Sequence, residues 1–374
     1  MSMPGSDKTA IPPRDTRPQK ATLMDIAQNV GVSTGTVDRA LHNRKGVNPA
    51  VKEKIMAAAR AMNYRPNRAA RSLSIRSIKR IGLIFPREPA FFWDKIKLGF
   101  DTAAAELEEL GMKLVPIRFP SLTEENEAET LEGLETLQRQ EVSAIVIVPN
   151  NTPALQESIK RISRSGIPIL TLSTDITDSR DRLLYLGPDN YRVGRMAAEL
   201  IGKFLRGRGE LLVLRQPVDT SAFQLRLSGF QELLSQEYPE IRIRTNYRYA
   251  RRLQEHDKIN LAEIINTQSL DGIYCLMSGT SLWEIAEIVE RSPKTERPIV
   301  IGHELNERII RLIERNIITA AICQHPVSQG YRMLKILYDY LFDRTEPPNQ
   351  NCYARIDIVM RENCRNYDRW TELP

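Results

Sequence analysis

Residues 21–74 carry a pattern of short helices, and their sequence is ATLMDIAQNVGVSTGTVDRALHNRKGVNPAVKEKIMAAARAMNYRPNRAARSLS. Within them, apolar residues recur at the three- and four-residue spacing of an amphipathic helix in three successive segments. They are Leu23, Ile26, Ala27 and Val30 in the first, Val37 and Leu41 in the second, and Val51, Ile55, Ala58 and Met62 in the third. Gly31 ends the first helix, Ser33 or Thr34 can cap the second, and Pro49 can open the third. The pattern predicts three short helices around one small core.

The second of these helices is a candidate for DNA recognition. Two short helices joined by a tight turn form a helix-turn-helix, in which the second helix enters the major groove. Thr34 and Gly35 stand at the start of that helix, where base edges are met, and Arg39 can bind guanine O6 and N7. Ser33 and Thr36 can hold phosphates through hydroxyl or amide groups. The alternative is that the threonines only cap the helix and that Arg39 is a solvated surface charge.

A fourth, very short helix is predicted beyond the third. Residues 64–67 interrupt the third helix, and Asn67 can cap a new one that ends at Leu73. A helix of that length is not stable alone, so a partner must fold it. Paired with its copy in a minor groove, it can insert Leu73 between bases while Arg68 and Arg71 meet phosphates.

Three motifs, LMDIAQNVGVSTGTVDRAL, V-N-P-x-x-x-E-K-I and NYRPNRAARSL, resemble the lactose-repressor (LacI) family of bacterial transcription regulators. The resemblance covers nearly all of the chain after residue 20, and it implies that residues 67–74 form a hinge helix. It also implies a homodimer on a pseudo-palindromic double-stranded DNA operator. By the resemblance Thr34, Gly35 and Arg39 read bases and Leu73 is the minor-groove wedge. The full set of predicted DNA-contacting residues is Thr22, Ser33, Thr34, Gly35, Thr36, Arg39, His42, Asn67, Arg68, Ala70 and Leu73. Asp38 departs from the family, which usually has a serine there that touches the DNA backbone.

The charge distribution points to DNA independently of any motif. Residues 1–80 carry a net charge of +11, whereas residues 81–374 carry a net charge of −5. A basic head on a mildly acidic body is typical of a DNA-binding module attached to a domain that does not bind DNA.

Composition is that of a soluble globular protein, and it predicts a cytoplasmic location without a membrane partner. No run of 18 apolar residues occurs, and residues 1–20 lack an apolar core segment. We therefore expect residues 1–20 to form a disordered arm rather than a secretory signal or an anchor. The four cysteines are too few and too scattered for a disulfide framework, although Cys352 and Cys364 can pair.

From Arg80 onward, short apolar runs alternate with segments of helical period. The runs, each a predicted strand, are IGLIF (81–85), MKLVPIRF (112–119), SAIVIV (143–148), IPILTL (167–172), LLYL (183–186), LLVL (211–214), GIYCL (272–276), PIVIG (298–302) and ITAAIC (318–323). The helical segments include residues 95–110, 153–165, 191–205, 222–235 and 280–290. Continuous apolar strands separated by helices indicate parallel sheets buried on both faces, and this length exceeds one sheet. Two α/β lobes are predicted.

This body resembles the periplasmic-binding-protein type I fold of sugar-binding proteins. The residues that carry the resemblance are Phe92-Trp93 before Gly99-Phe100, Gly187-Pro188-Asp189-Asn190, Arg226-Leu227-Ser228-Gly229-Phe230 and Ala321-Ile322-Cys323-Gln324. It implies chain crossings between the lobes near Gly187, Gln324 and Glu346. The predicted organisation is therefore an arm (1–20), an all-α helix-turn-helix domain (21–66), a hinge helix with linker (67–79) and a two-lobed α/β effector domain (80–374). Within the effector domain, the lobe next to DNA holds residues 80–186 and 325–345. The far lobe holds residues 187–324 and 346–374.

The resemblance also implies an effector site between the lobes, where strand carboxyl ends meet. Sugar recognition needs apolar faces and polar groups that satisfy several hydroxyls, and the predicted contact residues are Phe92, Trp93, Asn150, Ser173, Asp175, Arg226, Ser278, Glu304 and Gln324. Taken without context, Phe92 and Trp93 can instead pack under a loop, and Arg226 can form a surface ion pair. Glu304 stands where the family commonly has aspartate, and its extra methylene implies a ligand smaller than, or substituted differently from, a plain pentose.

Nothing in the sequence is typical of catalysis. His303-Glu304 lacks the second histidine of a zinc protease helix, and no glycine-rich phosphate loop is present. The sequence thus predicts a transcription regulator that is not an enzyme and uses no cofactor or metal. Repression is the preferred mode of regulation. Two other hypotheses stay open at this point: a transport-associated sugar-binding protein, and a sugar-processing enzyme with a DNA-binding head.

Overall fold

A computed structural model of the chain describes residues 21–41, 46–62, 64, 78–122, 126–176, 179–215, 220–249, 253–276, 279–347 and 349–367. The chain divides into two compact units, Met1–Ser74 and Ile75–Pro374. In the described part, no helix is long and apolar enough to cross a membrane.

The N-terminal unit contains three short helices, as the apolar spacing predicts. They are α1 (Leu23–Val30), α2 (Thr34–Leu41) and α3 (Pro49–Ala61). Ile26, Val37 and Ile55, one from each helix, are fully buried against one another and form the centre of the small core. Gly31 ends α1 with a φ of 74°, a left-handed conformation that costs glycine little and turns the chain directly into α2.

The first lobe of the second unit is a six-stranded parallel sheet in the order β11-β5-β4-β3-β1-β2. Its strands are β1 (Lys79–Glu88), β2 (Met112–Ser121), β3 (Ala144–Ile147), β4 (Ile169–Leu172), β5 (Leu184–Gly187) and β11 (Asn351–Tyr353). Its helices are α4 (Ala90–Leu107), α5 (Glu127–Arg139), α6 (Pro153–Arg164) and α12 (Pro326–Asp343), with a 3-10 turn at Ser179–Asp181. One face of the sheet packs against α4 and α12 and the other against α5 and α6, so its central strands are buried on both sides.

The second lobe repeats this plan with one antiparallel edge. Its sheet has the order β12-β10-β9-β8-β6-β7, and only β12, among its described strand pairs, runs antiparallel to its neighbour. The strands are β6 (Arg208–Arg215), β7 (Glu240–Arg248), β8 (Gly272–Cys275), β9 (Ile299–His303), β10 (Ala320–Cys323) and β12 (Asp357–Val359). The helices are α7 (Asn190–Phe204), α8 (Ser221–Glu237), α9 (Glu255–Thr267), α10 (Gly279–Arg291), α11 (Glu307–Glu314) and α13 (Arg361–Tyr367).

The chain passes between the lobes three times, and the third passage lies elsewhere than predicted. The first two passages follow β5 and β10, at Gly187 and Gln324. The expected passage near Glu346 is wrong, because β11 at Asn351–Tyr353 pairs with β5 in the first sheet. The chain leaves the first lobe only after Tyr353 and enters the second at β12, so residues 346–353 do not belong to the far lobe.

The helix pair α7 and α8 packs with backbone in direct contact. A methyl group placed on Gly194 of α7 would stand 1.9 Å from the carbonyl oxygen of Arg226 on α8. Reciprocally, a methyl group on Gly229 of α8 would stand 2.1 Å from the carbonyl oxygen of Tyr191 on α7. These two glycines therefore set the separation of the helices, and with it the position of Arg226.

The four cysteines are all free thiols and all buried. Cys352 lies on β11 in the first lobe and Cys364 on α13 in the second, so the pairing left open by the sequence is not formed. Reduced thiols agree with the scattered cysteine pattern.

Candidate effector site and DNA-binding helix

The exposed face of α2 carries the predicted base-reading residues. Thr34, Gly35 and Arg39 are exposed, whereas Val37 and Ala40 turn inward into the three-helix core. A helix that buries one face in this way presents the opposite face to a groove without unfolding. Arg39 rests near its own helix, with Nη2 3.5 Å from Thr36 Oγ1, so its guanidinium is available to a base edge.

Two of the predicted DNA-contacting hydroxyls, those of Thr22 and Ser33, also cap helices. Ser33 Oγ accepts a 3.2 Å hydrogen bond from the Thr36 amide and lies 2.9 Å from Thr36 Oγ1 at the start of α2. Thr22 Oγ1 donates to Asp25 Oδ2 at 2.8 Å and accepts from the Asp25 amide at 3.3 Å, which forms a capping box on α1. The cap formed by Ser33 uses an oxygen lone pair and leaves its hydroxyl proton for another acceptor, whereas the single hydroxyl proton of Thr22 is donated to Asp25, so a phosphate contact through that hydroxyl requires this bond to break.

Part of the predicted DNA interface falls outside the described residues. These positions are His42, Asn67, Arg68, Ala70 and Leu73, and the same holds for Ser278 of the predicted effector site. The hinge helix over 67–74 and the minor-groove wedge therefore stay predictions.

A small cavity lies between the two lobes, beside the ends of β9 and β10. Its volume is about 20 Å³, which is room for roughly one water molecule. The first lobe contributes Phe91, Phe92, Lys95 and Pro326 to its wall, and the second lobe contributes Glu304, Leu305, Cys323 and Tyr367. The cleft is thus closed around a space too small for a monosaccharide, so a ligand of that size requires the lobes to separate.

The aromatic residues at this cleft differ in part from the predicted ones. Phe92 and Trp93 pack edge to face with ring centroids 4.8 Å apart, and both are buried in the core of the first lobe. Phe92 also reaches the cavity, whereas Trp93 is absent from its described wall, so the packing alternative holds for Trp93. Phe91, which is not among the residues predicted from the sequence, packs edge to face on Trp283 of the second lobe at 5.7 Å and so bridges the lobes.

Arg226 is a buried side chain and not the surface ion pair that the alternative described. Its exposed fraction is 4%. Nη1 donates to the Leu276 carbonyl at 3.0 Å and Nη2 donates to Asn190 Oδ1 at 2.9 Å, while Nε is buried without a hydrogen-bond partner. Burial lowers the pKa of Arg226 below its usual value. A guanidinium held among neutral acceptors with one unsatisfied N–H is suited to receive a ligand oxygen.

Glu304 and Gln324 meet at the ends of β9 and β10, as the sequence predicts for strand carboxyl ends. Gln324 Nε2 donates to Glu304 Oε1. Gln329 on α12 in turn donates to the Gln324 carbonyl at 2.7 Å, and its Oε1 accepts from Ser173 Oγ at 3.1 Å. This chain of hydrogen bonds runs from the second lobe to the first, and buried Gln329 is a member that the sequence reading missed.

Three residues of this region hold left-handed backbone conformations. The φ angles of Ser173, Glu304 and His325 are 62°, 70° and 52°. Such conformations cost about 1 to 3 kcal/mol in a non-glycine residue and persist where the surroundings fix them, commonly at ligand sites. Their position at strand ends beside the cleft agrees with a binding role for this region.

Two of the remaining predicted residues lie at the cleft side of the first lobe. Asn150 follows β3 and is buried. Asp175 follows β4, but both of its carboxylate oxygens bind Arg182, at 2.7 Å to Nε and 2.6 Å to Nη2, and Oδ1 also accepts from Thr171 at 2.6 Å. The carboxylate of Asp175 is therefore committed to structure within its own lobe.

Burial raises the pKa of Glu304 to about 7, against the opposing effects of the Gln324 hydrogen bond, Arg226 and Lys95. A glutamate in the unfolded chain ionises near pH 4.3, so the carboxyl of Glu304 keeps its proton to a higher pH in the folded protein than in the unfolded chain. Glu304 therefore favours the folded state below about pH 4.3, and this contribution is lost as the pH rises to about 7.

We accordingly expect the free energy of unfolding of the natural protein to fall relative to that of Glu304→Gln by about 3 kcal/mol as the pH is raised from 4 to 8. Urea unfolding of both proteins at the two pH values measures this difference. Glu307→Gln is the control, because Glu307 is exposed on the adjacent helix α11. An equal pH dependence for the two variants would show that Glu304 ionises like a surface carboxylate.

Together, the fold and the cleft define the class: a two-lobed solute-binding domain joined to a helix-turn-helix unit. Residues 81–345 match the periplasmic binding protein domain, and residues 22–67 match the bacterial regulatory proteins of the lacI family. The chain therefore belongs to the periplasmic binding protein domain family and carries the lacI family DNA-binding domain at its N-terminal side. The resemblance and the fold class inferred from the motifs are confirmed.

Known relatives match between about three fifths and nine tenths of the chain. The ribose operon repressor of Bacillus subtilis is 31% identical over 217 residues, which are 58% of this chain and 61% of that repressor. The sucrose operon repressor of Streptococcus mutans is 27% identical over 343 residues, which are 91% of this chain and 92% of that repressor. GanP, a glucose-galactose binding protein from Geobacillus stearothermophilus, is similar in fold, with a TM-score of 0.67, 20% identity, and coverage of 77% of this chain and 99% of that one.

Proposed function

We propose that this protein is a sequence-specific DNA-binding transcription regulator, a repressor, whose operator affinity is controlled by a small sugar-like effector bound between the two lobes. The observation that carries this proposal is the presence in one chain of the exposed recognition face of α2 and of a cleft with polar groups from both lobes. The relatives named as ribose and sucrose operon repressors support the same function. The protein acts in the cytoplasm as a homodimer and catalyses no reaction.

The operator is pseudo-palindromic, because a two-fold symmetric dimer reads two half-sites in successive major grooves. The effector shifts the dimer between two populations, one with the cleft closed and one with it open. It shifts that balance only by the difference between its affinities for the two states. The hydrogen bonds from Glu304 through Gln324 and Gln329 to Ser173 couple the cleft to both lobes, so their rearrangement accompanies opening.

A thermal-shift screen tests the effector half of the proposal. A ligand that binds only the native state raises its stability in proportion to the logarithm of its concentration above the dissociation constant. We expect a sugar, sugar alcohol or sugar derivative to raise the melting temperature and, in a separate fluorescence-anisotropy assay, to change operator affinity. Binding without any change in operator affinity would favour a sugar-binding protein of another kind, and turnover of the ligand would favour an enzyme.

The DNA half is tested by Arg39→Ala, with Arg60→Ala on α3 as the matched control. Both residues are exposed arginines of the N-terminal unit, but only Arg39 lies on the recognition face of α2. We expect Arg39→Ala to weaken binding by about 5- to 150-fold to an operator selected from random duplexes with the natural protein, because a bidentate contact to guanine contributes about 1 to 3 kcal/mol. Equal losses in the two variants, on selected and on random DNA, would show that Arg39 contributes charge alone.

A further inference from the structure

Lys95 is a charged group at the wall of the cleft. It lies on α4 one turn beyond Phe91 and Phe92, so all three side chains reach the same cavity, opposite Glu304 of the second lobe. Among the residues that the structure describes, Lys95 forms no hydrogen bond or ion pair. A cation brought to the wall of a closed cavity without a committed partner is available to a ligand.

The other carboxylates near the cleft are already neutralised. Asp175 binds the Arg182 guanidinium with both oxygens. Asp357 Oδ2 lies 2.7 Å from His325 Nε2, and its Oδ1 accepts from Arg355 Nε at 2.8 Å. In the described part of the chain, Glu304 is therefore the carboxyl group left to balance the cleft.

Two cations act electrostatically on the single carboxyl of Glu304: Lys95, which lines the cavity, and Arg226, which is buried in the second lobe. The two hydrogen bonds that Arg226 donates go to neutral oxygens, those of Leu276 and Asn190, and its Nε has no partner. Glu304 is itself hydrogen-bonded by Gln324, and its raised pKa means that it carries only part of its charge near neutral pH. Around Glu304 there is therefore an excess of positive charge, shared between half-buried Lys95 and buried Arg226, and an anion placed between the lobes would compensate it.

We propose that the effector is an anionic sugar, one with a carboxylate or a phosphate group, and that Lys95 binds this group. This inference rests on the proposed function, because it specifies the chemical class of the effector in the same cleft. Glu304 is compatible with an anion beside it, since its protonated carboxyl can donate a hydrogen bond to a ligand oxygen. A neutral sugar would bring no negative charge to Lys95 and Arg226, and so would gain less from the closed cleft than an anionic sugar.

The test compares the natural protein with Lys95→Met, Lys95→Arg and the control Lys97→Met. Lys97 lies on the same helix but is exposed and paired with Asp101, so its loss leaves the cleft unchanged. The probes are D-glucuronate, D-gluconate, D-ribose 5-phosphate and D-glucose 6-phosphate, each beside its neutral counterpart, D-glucose, D-glucitol or D-ribose. Melting temperatures and calorimetric titrations give binding, and circular dichroism verifies that each variant is folded.

We expect at least one anionic probe to bind the natural protein at least 10-fold more tightly than its neutral counterpart. Carboxylate and phosphate probes separate the two sources of the anion. Lys95→Met should lose about 10- to 100-fold of affinity for that anion and little for the neutral sugar, because one charge-assisted hydrogen bond is removed. Lys97→Met should bind like the natural protein, and Lys95→Arg should retain the preference for the anion, which a merely structural role of Lys95 would not produce.

The contrary outcomes are distinct. A neutral sugar that binds as tightly as its anionic counterpart, and that also changes operator affinity, would overturn the inference and leave the proposed function standing. Equal affinity of Lys95→Met and the natural protein for an anionic probe would remove Lys95 from the site. If none of the probes, anionic or neutral, binds or alters operator affinity, then both the inference and the proposed control by a sugar are wrong.

Discussion

Replacing Arg226 with methionine should abolish the stabilisation of the protein by its effector. The guanidinium lies buried in the second lobe, where it acts electrostatically on Glu304 of the cavity wall, with Nη1 and Nη2 bound to neutral oxygens and Nε without a partner. A ligand oxygen that accepts from Nε gives this buried N–H the hydrogen bond that it lacks. A charge-assisted hydrogen bond of this kind contributes about 1.5 to 3 kcal/mol, so its loss corresponds to about 10- to 150-fold weaker binding.

The stability of the effector-free protein should change much less than its response to effector. Methionine leaves the Leu276 carbonyl and Asn190 Oδ1 without their donor, which destabilises the folded state. It also removes a buried charge whose desolvation already lowers the pKa of Arg226, and this loss is stabilising. Because the two effects have opposite signs, the free energy of unfolding without ligand should change little. Urea unfolding without ligand measures it, and so shows whether a variant that does not respond to effector is folded.

Arg195→Met is the matched control for this experiment. Arg195 lies on α7, the helix packed on that of Arg226, and forms a partly exposed ion pair with Glu232 at 3.3 Å. Exposed pairs of this type contribute about 0 to 1 kcal/mol, so the control should keep both its stability and its effector response. A full effector response in Arg226→Met, measured by thermal shift and by release of operator DNA, would exclude Arg226 from the effector site.

The two-lobed fold is largely readable from the sequence, because buried parallel strands are continuous apolar runs. All nine runs predicted as strands are strands in the structure. Strand β7, which was not predicted, has the sequence EIRIRTNYR and is no continuous apolar run. It lies at the edge of the sheet, and its exposed positions alternate with buried or half-buried ones. The missed strands β11 and β12 have three residues each, too few to show a period. The wrong crossing at Glu346 follows directly from not foreseeing β11.

Site residues are harder to predict, because their availability depends on partners distant in the chain. Asp175 is placed at a strand end as expected, but Arg182 occupies its carboxylate. Trp93 has the chemistry of a sugar-binding residue, but the helix turns it into the core, while its neighbours Phe91 and Phe92 reach the cavity. Helical spacing from Phe91 leads to Lys95, and this signal was present in the sequence. Gln329 had no such signal, since its contacts exist only when both lobes are assembled.

Substituting Gly194 with alanine should destabilise the second lobe more than any surface change. The added methyl group would stand 1.9 Å from the Arg226 carbonyl oxygen and 2.9 Å from the Phe230 amide nitrogen, both of which are backbone atoms of α8. Backbone of a packed helix cannot move aside as a side chain does, so α7 and α8 must separate. Overpacking of a core costs about 1 to 3 kcal/mol and occasionally more, and a clash with backbone belongs at the upper end of that range.

Gly133→Ala provides the comparison. Gly133 lies within α5 of the first lobe, and a methyl group there would meet side-chain atoms of Ile117 and Ile84 at 3.3 Å or more. Because flexible side chains can adjust and alanine favours the helix by about 0.5 to 1 kcal/mol, we expect this variant to be near neutral in urea unfolding. If Gly194→Ala were as stable as Gly133→Ala, the close approach of α7 and α8 would not be a requirement of the fold.

The same variant also separates packing from recognition. The backbone of Arg226 forms the contact with Gly194, while its side chain serves the cleft, so pushing α8 away displaces the guanidinium from Leu276 and Asn190. A Gly194→Ala protein that still folds at low temperature should therefore bind its effector weakly, although no side chain of the site has been changed. Normal effector affinity in that protein would mean that the position of Arg226 is fixed by its own hydrogen bonds and not by the approach of the two helices.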